Sequence, residues 1–437
     1  MSIQEDFKAF LSDIEPSKST VESISSAQNA LRSYLENDDD YASHYEDSFL
    51  SGSYGKHTSI RPAKDDDNRD VDIVILTDHD TNDCSSDVII ELRDALEKSE
   101  RYKSAHLQTH SVGINLSKLD IDVVPLAGDG DKRYIGCIDD GDWKETDPKG
   151  HIEWSTQVNK DASGKYKPVV KIMKWWRREN CPADIKWPKG ITLEKMIADC
   201  FPSDNSNYED ILVELFENLK DEYADEVDRE IVPRVEDPSV PDNNLAEGYE
   251  IADFRSFLKG ISSSLEIIQE EGSCNESWRK VLGSRFPSAT SNAETSADLA
   301  DFTTVEAALA VKHRQRPTWP ISAKKPSVIV VADVTYPDGH TERISNNGST
   351  IPKGCDIDYR VMRSRTLSQR IVKWEVVNTG KEAYDAGCPR GEFNDSNISN
   401  GGRHEETAYR GRHFVKAYVL KSGRCIAYSK EFFINVE

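Results

Sequence analysis

The sequence predicts an α+β catalytic region followed by a C-terminal all-β sandwich. Three observations carry this. An apolar, strand-like run bears two carboxylates, Asp70-Val71-Asp72-Ile73-Val74-Ile75-Leu76; helical patterns dominate from Val169 to about Leu309; and beyond Pro320 short β-branched runs alternate with turn signals. At 437 residues the chain exceeds one ordinary domain. The expected division is 1–180 for a core with N-terminal helices, 181–315 for a helical domain completing a cleft, and 318–437 for the sandwich.

Taken in order, residues from about 3 to 45 read as helical: Phe7, Phe10, Leu11 and Ile14 recur at i, i+3, i+4 and i+7, and Val21 to Leu35 keeps the spacing. The small-residue turn Ser51-Gly52-Ser53-Tyr54-Gly55 breaks that pattern. A polar loop, Arg61 to Arg69, precedes the Asp-x-Asp strand. Asp87 to Glu100 is again helical, and Leu107 to Leu116 and Leu119 to Val124 are strand candidates, the second closed by Pro125. Helices are expected over Val169 to Arg178, Thr192 to Phe201, Tyr208 to Ala224 and Ile251 to Glu271. Val232 to Asn244, with three prolines and several acids, and Thr290 to Ser296 read as loops. In the tail, Val328 to Ala332, the neighbourhood of Val361, Ile371 to Val377 and Phe414 to Leu420 are the β-rich runs, separated by turns such as Pro337-Asp338-Gly339.

Composition excludes several classes of protein. Mean hydropathy is −0.64, and no stretch reaches the roughly 18 consecutive apolar residues of a membrane span. The amino terminus lacks the basic start and apolar block of a secretory signal, so a cytoplasmic protein, not embedded in membrane, is expected. Against 55 Lys and Arg stand 78 Asp and Glu, a net charge of −23. That balance disfavours stable binding of a nucleic-acid duplex, which rests on many cationic contacts to phosphate. The eight cysteines, at 84, 137, 181, 200, 274, 355, 388 and 425, include no C-x-x-C pair, which argues against zinc and disulfide frameworks.

The chemistry-bearing pattern is Gly52-Ser53, then a loop, then Asp70-Val71-Asp72, then Asp120-Ile121-Asp122-Val123-Val124-Pro125. Alternate side chains of a strand share a face, so Asp70 and Asp72 project together while Val71 and Ile73 enter the core. Like charges so placed repel and are costly to desolvate, and a divalent cation reverses that cost. Asp122, on a second apolar strand, completes such an oxygen cage, suited to magnesium or manganese. Glycine lets backbone approach a phosphate closely, and the Ser53 hydroxyl adds a donor.

These residues resemble the DNA polymerase β-like nucleotidyltransferases. The runs GSYGKHTSIRP, RDVDIVIL, LDIDVVPLAG and PVVKIMKWWRREN, in that order over roughly residues 45–200, are most similar to the bacterial relatives of cyclic GMP-AMP synthase and oligoadenylate synthase. The resemblance implies a polymerase β-like core. It implies catalytic, metal-binding roles for Asp70, Asp72 and Asp122 with two Mg2+ ions (or Mn2+), with Asp120 the competitor for the third position. It also implies nucleotide contacts from Gly52 and Ser53, from Lys174 before Trp175-Trp176, from Lys171 at i−3 on the same face, and from Thr192. The tail resembles a C-terminal domain proposed to sense nucleotides. The implied activity is template-independent joining of nucleoside triphosphates into a cyclic or linear oligonucleotide signal for antiphage defence, releasing pyrophosphate and acting on an operon-encoded effector, in the membrane or elsewhere.

Plainer readings compete at several positions. Asp65-Asp66-Asp67 is the kind of loop charge run that is usually just solvated. Trp175 and Trp176 fit core packing better than base stacking, and His57 fits an exposed surface. Nucleotidyl transfer to a protein or a tRNA end is the competing enzymatic reading, and an inactive nucleotide-binding sensor the non-enzymatic one.

Overall fold

The computed structural model describes residues 3–62, 68–203, 207–288, 305–346, 348–362 and 370–437. The acidic run Asp65 to Asp67 and the expected loop at Thr290 to Ser296 lie outside them.

The amino-terminal half contains α1 (Ile3–Ile14), α2 (Lys18–Glu36), β1 (Tyr45–Leu50), the short turn of helix α3 (Gly52–Gly55), β2 (Arg69–Thr77), α4 (Ser85–Glu97), β3 (His106–Leu107), β4 (Val112–Leu116) and β5 (Leu119–Asp129). After these come the edge strands β6 (Lys132–Gly136) and β7 (Trp143–Thr146). They form one mixed sheet in the order β1-β2-β5-β4-β3, with β6 added to β5 and β7 to β6. The β2–β5 pair is parallel, and its register sets Asp70 opposite Asp120 and Asp72 opposite Asp122. One face is covered by α2 and α4, whose Ile24, Leu31, Leu35, Ile89 and Leu92 pack on Val71, Ile73, Ile75, Ile121 and Val123. The even-numbered residues of β2 and β5 turn to the other face. There Val74, Leu76 and Leu126 form a small core at one end of the strands, and the four aspartates occupy the other end.

The helical layer comprises α5 (Pro148–Asp161), α6 (Tyr166–Asn180), α7 (Gly190–Asp199), α8 (Tyr208–Asp228), α9 (Ile251–Glu271) and α10 (Asn275–Leu282). It is built around aromatic residues. Trp175 and Trp176 are both buried, as the packing reading expects. Trp176 stacks on Trp187 at 5.1 Å, and Gly260 of α9 makes room, since a Cβ there would lie 2.2 Å from the Trp187 ring. The apolar stripe of α1 also packs in this layer, with Phe7 and Phe10 against Trp278, Phe286 and Trp175. Packing thus groups α1 and α6 with the helices beyond 180, across the division at 180/181 expected from the sequence. The sequence pattern shows that α1 has an apolar face but not which core receives it.

The tail forms two sheets. One has the order β10 (Thr350–Ile351), β17 (Phe432–Val436), β15 (Gly411–Lys421), β12 (Ile371–Val377) and β13 (Arg390–Asp395), with β16 (Arg424–Tyr428) paired to β15. The other has the order β14 (Arg403–Glu406), β11 (Asp356–Val361), β8 (Val330–Thr335) and β9 (Thr341–Ile344). Val334, Ile357, Tyr359, Trp374, Val415, Phe432 and their neighbours fill the space between the sheets, a β-sandwich core. The sandwich is docked on the helical layer. Val331, Ile329 and Met362 enter the helical core. Arg343, 5% exposed in its side chain, reaches Asp333 of its own sheet and Glu209 of α8, each at 2.5 Å.

Candidate active site

The turn Ser51–Gly55 runs directly over the carboxylate end of β2. The Ser51 N–H donates to the Asp72 carbonyl at 2.9 Å, and the helical turn closes with Gly55 N donating to Ser51 O at 2.8 Å. Gly52 has a φ of +55°, a left-handed conformation that glycine adopts without a Cβ penalty. Space makes the same demand, because a Cβ on Gly52 would lie 1.7 Å from the Asp72 Oδ2. Glycine is therefore the residue that allows the loop to lie against the carboxylate. Ser53 follows immediately, half-buried, and its carbonyl accepts the Thr58 N–H at 2.8 Å.

The carboxylates make a strained group. Burial, then Asp122 and Asp70, push the Asp72 carboxyl up to about 6, against the opposing pull of Lys56 and Lys174. The Asp70 side chain reaches solvent, yet desolvation at the cleft wall raises its pKa, followed by the charges of Asp120 and Asp122. Asp122 is raised by burial and held by the Gln108 side-chain amide, which donates to its Oδ1 at 3.0 Å while Ser111 donates to Gln108 at 2.6 Å. Asp120 is engaged differently, accepting from the Asn68 amide at 2.9 Å. Among the described residues no Lys or Arg forms an ion pair with Asp70, Asp72 or Asp122. Asp72 and Asp122 face each other in register on neighbouring parallel strands, and Asp70 lies two residues before Asp72 on the same face; carboxylate oxygens so placed suit a hard divalent ion.

Behind Asp72 lies a buried charge cluster that the sequence reading took only in part. Lys174 donates to Glu194 at 2.6 Å and to the Thr58 hydroxyl at 2.9 Å, and Lys56 meets the other Glu194 oxygen at 2.8 Å. Glu194 is fully buried, and the two ammonium groups outweigh its desolvation and hold its carboxyl below the usual glutamate range. Burial lowers Lys174 despite that partner. Two ammonium groups share one carboxylate, leaving one positive charge beside Asp72. Lys56 stands in the GSYGKHTS run, three residues after Ser53, and was visible there. Glu194 was hidden because a helical glutamate normally reads as surface. Lys171 instead pairs with Glu15 at 2.6 Å, and the Thr192 hydroxyl is buried and donates to the Leu245 carbonyl at 2.8 Å. Neither is among the groups that act on the carboxylates, so the geometry gives no support to their expected nucleotide contacts. His57 is exposed.

A mixed sheet with paired aspartates, closed by a helical layer, has the architecture of a polymerase β-like nucleotidyltransferase. Comparison with known proteins gives the family. Residues 1–159 match the Second Messenger Oligonucleotide or Dinucleotide Synthetase domain, and residues 309–437 match the Adenylyl/Guanylyl and SMODS C-terminal sensor domain. A cyclic AMP-AMP-AMP synthase from an Acinetobacter strain is 39% identical over 313 residues, 69% of this chain and 90% of that one. A cyclic AMP-AMP-GMP synthase of Enterobacter hormaechei is 25% identical over 356 residues, covering 66% and 92%. Among solved structures, Bradyrhizobium diazoefficiens CdnG in complex with GTP superposes with a TM-score of 0.54 at 13% identity, over 65% of this chain and 96% of that one. Escherichia coli CdnC with ATP gives 0.52 at 20%, over 65% and 99%. The chain belongs to the bacterial cyclic GMP-AMP synthase-like nucleotidyltransferases, whose members make cyclic second messengers in antiphage defence. Metal dependence is general to that family, and among the described residues no helix is long and apolar enough to cross a membrane.

Proposed function

We propose that this protein joins nucleoside triphosphates, ATP among them, into a cyclic oligonucleotide, with one pyrophosphate released per bond. The observation that carries the reading is the parallel β2–β5 register, which sets Asp72 beside Asp122 directly beneath Gly52. The 39% identity to a cyclic AMP-AMP-AMP synthase supports adenine as one of the bases. In each step a ribose hydroxyl attacks the α-phosphorus of a triphosphate. The new O–P bond forms as the bond to the β-phosphate oxygen breaks; the hydroxyl proton passes to solvent, and pyrophosphate leaves.

In this reading Asp70, Asp72 and Asp122 hold two divalent ions, Mg2+ or Mn2+. Such ions, when bound, supply positive charge for the nucleophile and the leaving group. The chain's own contribution is positional. Gln108 fixes the Asp122 carboxylate, and Gly52 lets the backbone and the Ser53 hydroxyl lie against the phosphates. Lys174 and Lys56, held by Glu194, add a positive charge that attracts the triphosphate tail. The oligonucleotide then acts on a separate effector, in the membrane or elsewhere.

The test is to incubate the protein with labelled triphosphates and magnesium and resolve the products. A phosphatase-resistant oligonucleotide with stoichiometric pyrophosphate is expected, and the Asp70→Ala/Asp72→Ala variant should abolish it. Label appearing on protein or RNA, or turnover persisting in the double variant, would overturn the reading.

A further inference from the structure

A second group of metal-binding side chains lies at the other end of β2. His44 immediately precedes β1, Asp78 and His79 immediately follow β2, and Glu91 projects from α4. His44 Nδ1 is 2.8 Å from Asp78 and its Nε2 is 3.3 Å from Glu91; His79 Nε2 is 3.2 Å from the other Glu91 oxygen. The two imidazoles stack at 4.5 Å with 15° between their planes. One ligating atom from each of His44, Asp78 and His79 lies within 4.8 Å of the others.

His79 is ion-paired as well, through Nδ1 to Asp83 at 3.4 Å and Nε2 to Glu91 at 3.2 Å, yet two buried polar atoms here have no hydrogen-bond partner among the described residues. His79 Nε2 is buried, and its approach to Glu91 lacks hydrogen-bond geometry. The Tyr41 hydroxyl, on a ring 1% exposed, also has no hydrogen-bond partner among the described residues; burial, then Glu91, Asp78 and Tyr45, raise its pKa. Buried groups of this kind are rare without an ion or a water to complete them.

We propose that His44, Asp78 and His79 bind a divalent transition cation of the zinc type, with Glu91 or water in the fourth position. Imidazole nitrogen selects zinc, nickel or cobalt over magnesium, which demands oxygen. The site is separate from the catalytic carboxylates: Asp78 is six residues beyond Asp72, roughly 20 Å along an extended strand. Metal–ligand bonds of about 2.0–2.1 Å place tetrahedral ligands roughly 3.3 Å apart. The ligating atoms, now within 4.8 Å of one another, therefore draw in by about an ångström. Bound there, the ion ties the start of β1 to the end of β2, and to α4 where Glu91 takes the fourth position.

The experiment uses untagged, full-length protein stripped with EDTA. Calorimetric titration of the Asp70→Asn/Asp72→Asn variant, in which the catalytic carboxylates no longer compete, is expected to show one Zn2+ per chain, weakened at least tenfold when His44→Gln/His79→Gln is added. X-ray absorption of the zinc-loaded wild type needs no variant, and is expected to show two imidazole nitrogens in the first shell. No binding by the wild type, an all-oxygen shell, or zinc lost with Asp70 and Asp72 but kept without the histidines would overturn the site. The zinc measurements are independent of triphosphate turnover, so they stand whether or not the proposed synthase reaction is found.

Discussion

Replacing Asp72 by Asn should stabilise the protein while destroying its activity. The Asp72 carboxyl is pushed from 3.8 to about 6, chiefly by burial and then by Asp122 and Asp70. A shift of about 2 units corresponds to roughly 3 kcal/mol between the protonation states. Asp72 is half-buried, so solvent screening reduces that to about 1–3 kcal/mol. The sign follows from linkage: a carboxyl whose folded pKa is raised stabilises the fold, relative to its ionised form, below the unfolded pKa, and that stability is lost as pH rises through about 6. In EDTA at pH 7.5 the wild type therefore carries the penalty and Asp72→Asn does not. Melts of the two proteins should differ by a few degrees in favour of the variant. The gap should close as pH falls from about 6 toward 4, and added Mg2+ should narrow it at pH 7.5 by stabilising the wild type selectively. A variant equal to or less stable than wild type at pH 7.5 without divalent ions would refute the argument that these carboxylates are energetically incomplete without a cation.

Other changes test neighbouring parts of the structure. Gly52→Ala should lower kcat for pyrophosphate release by about 100-fold or more, because its Cβ would displace the Asp72 carboxylate, while melts show a loss of only about 1 kcal/mol from the left-handed backbone. Glu194→Gln should cost about 3–5 kcal/mol in denaturant melts, since it leaves Lys56 and Lys174 buried without their carboxylate. Because the Glu194 carboxyl is held low, that difference should be present above about pH 4.5 and shrink on further acidification. Arg343→Ala should weaken docking of the sandwich by about 3–5 kcal/mol, read as faster hydrogen exchange at β8 and β9 with the exchange of β2 and β5 unchanged.

Much of this was legible in the sequence because the relevant signals are local. The alternation in Asp70-Val71-Asp72-Ile73 fixes which residues enter the core, and the structure buries Val71 and Ile73 as expected. The tail's β-branched runs likewise mark the strands of the sandwich. Elements with weak patterns were missed. β1, with the sequence Tyr45-Glu46-Asp47-Ser48-Phe49-Leu50, has too many acids to read as a strand and acquires its state from antiparallel pairing with β2. The edge strands β6 and β7 are likewise too polar to read as strands and take their state from pairing, β6 with β5 and β7 with β6. In α5 only Ser155 is fully buried, so no apolar stripe announces it, although Asp147 and Pro148 form a recognisable start. Glu194 was illegible because nothing local tells that Lys56, 138 residues earlier, will neutralise it. Lys171 and Thr192 have good local matches too, and their contacts with Glu15 and Leu245 are ones that only the tertiary structure reveals.

The parallel pairing of β2 and β5 has a consequence for biosynthesis. Asp72 and Asp122 are 50 residues apart in sequence, with α4, β3 and β4 between them, and meet only when β5 adds beside β2. Lys174 and Glu194 come later still. A growing chain that has not passed Glu194 lacks part of the charge cluster, and one released early holds an unmatched set of acids. The order of the residues along the polypeptide thus leaves the charge cluster beside Asp72 incomplete until Glu194 has been added.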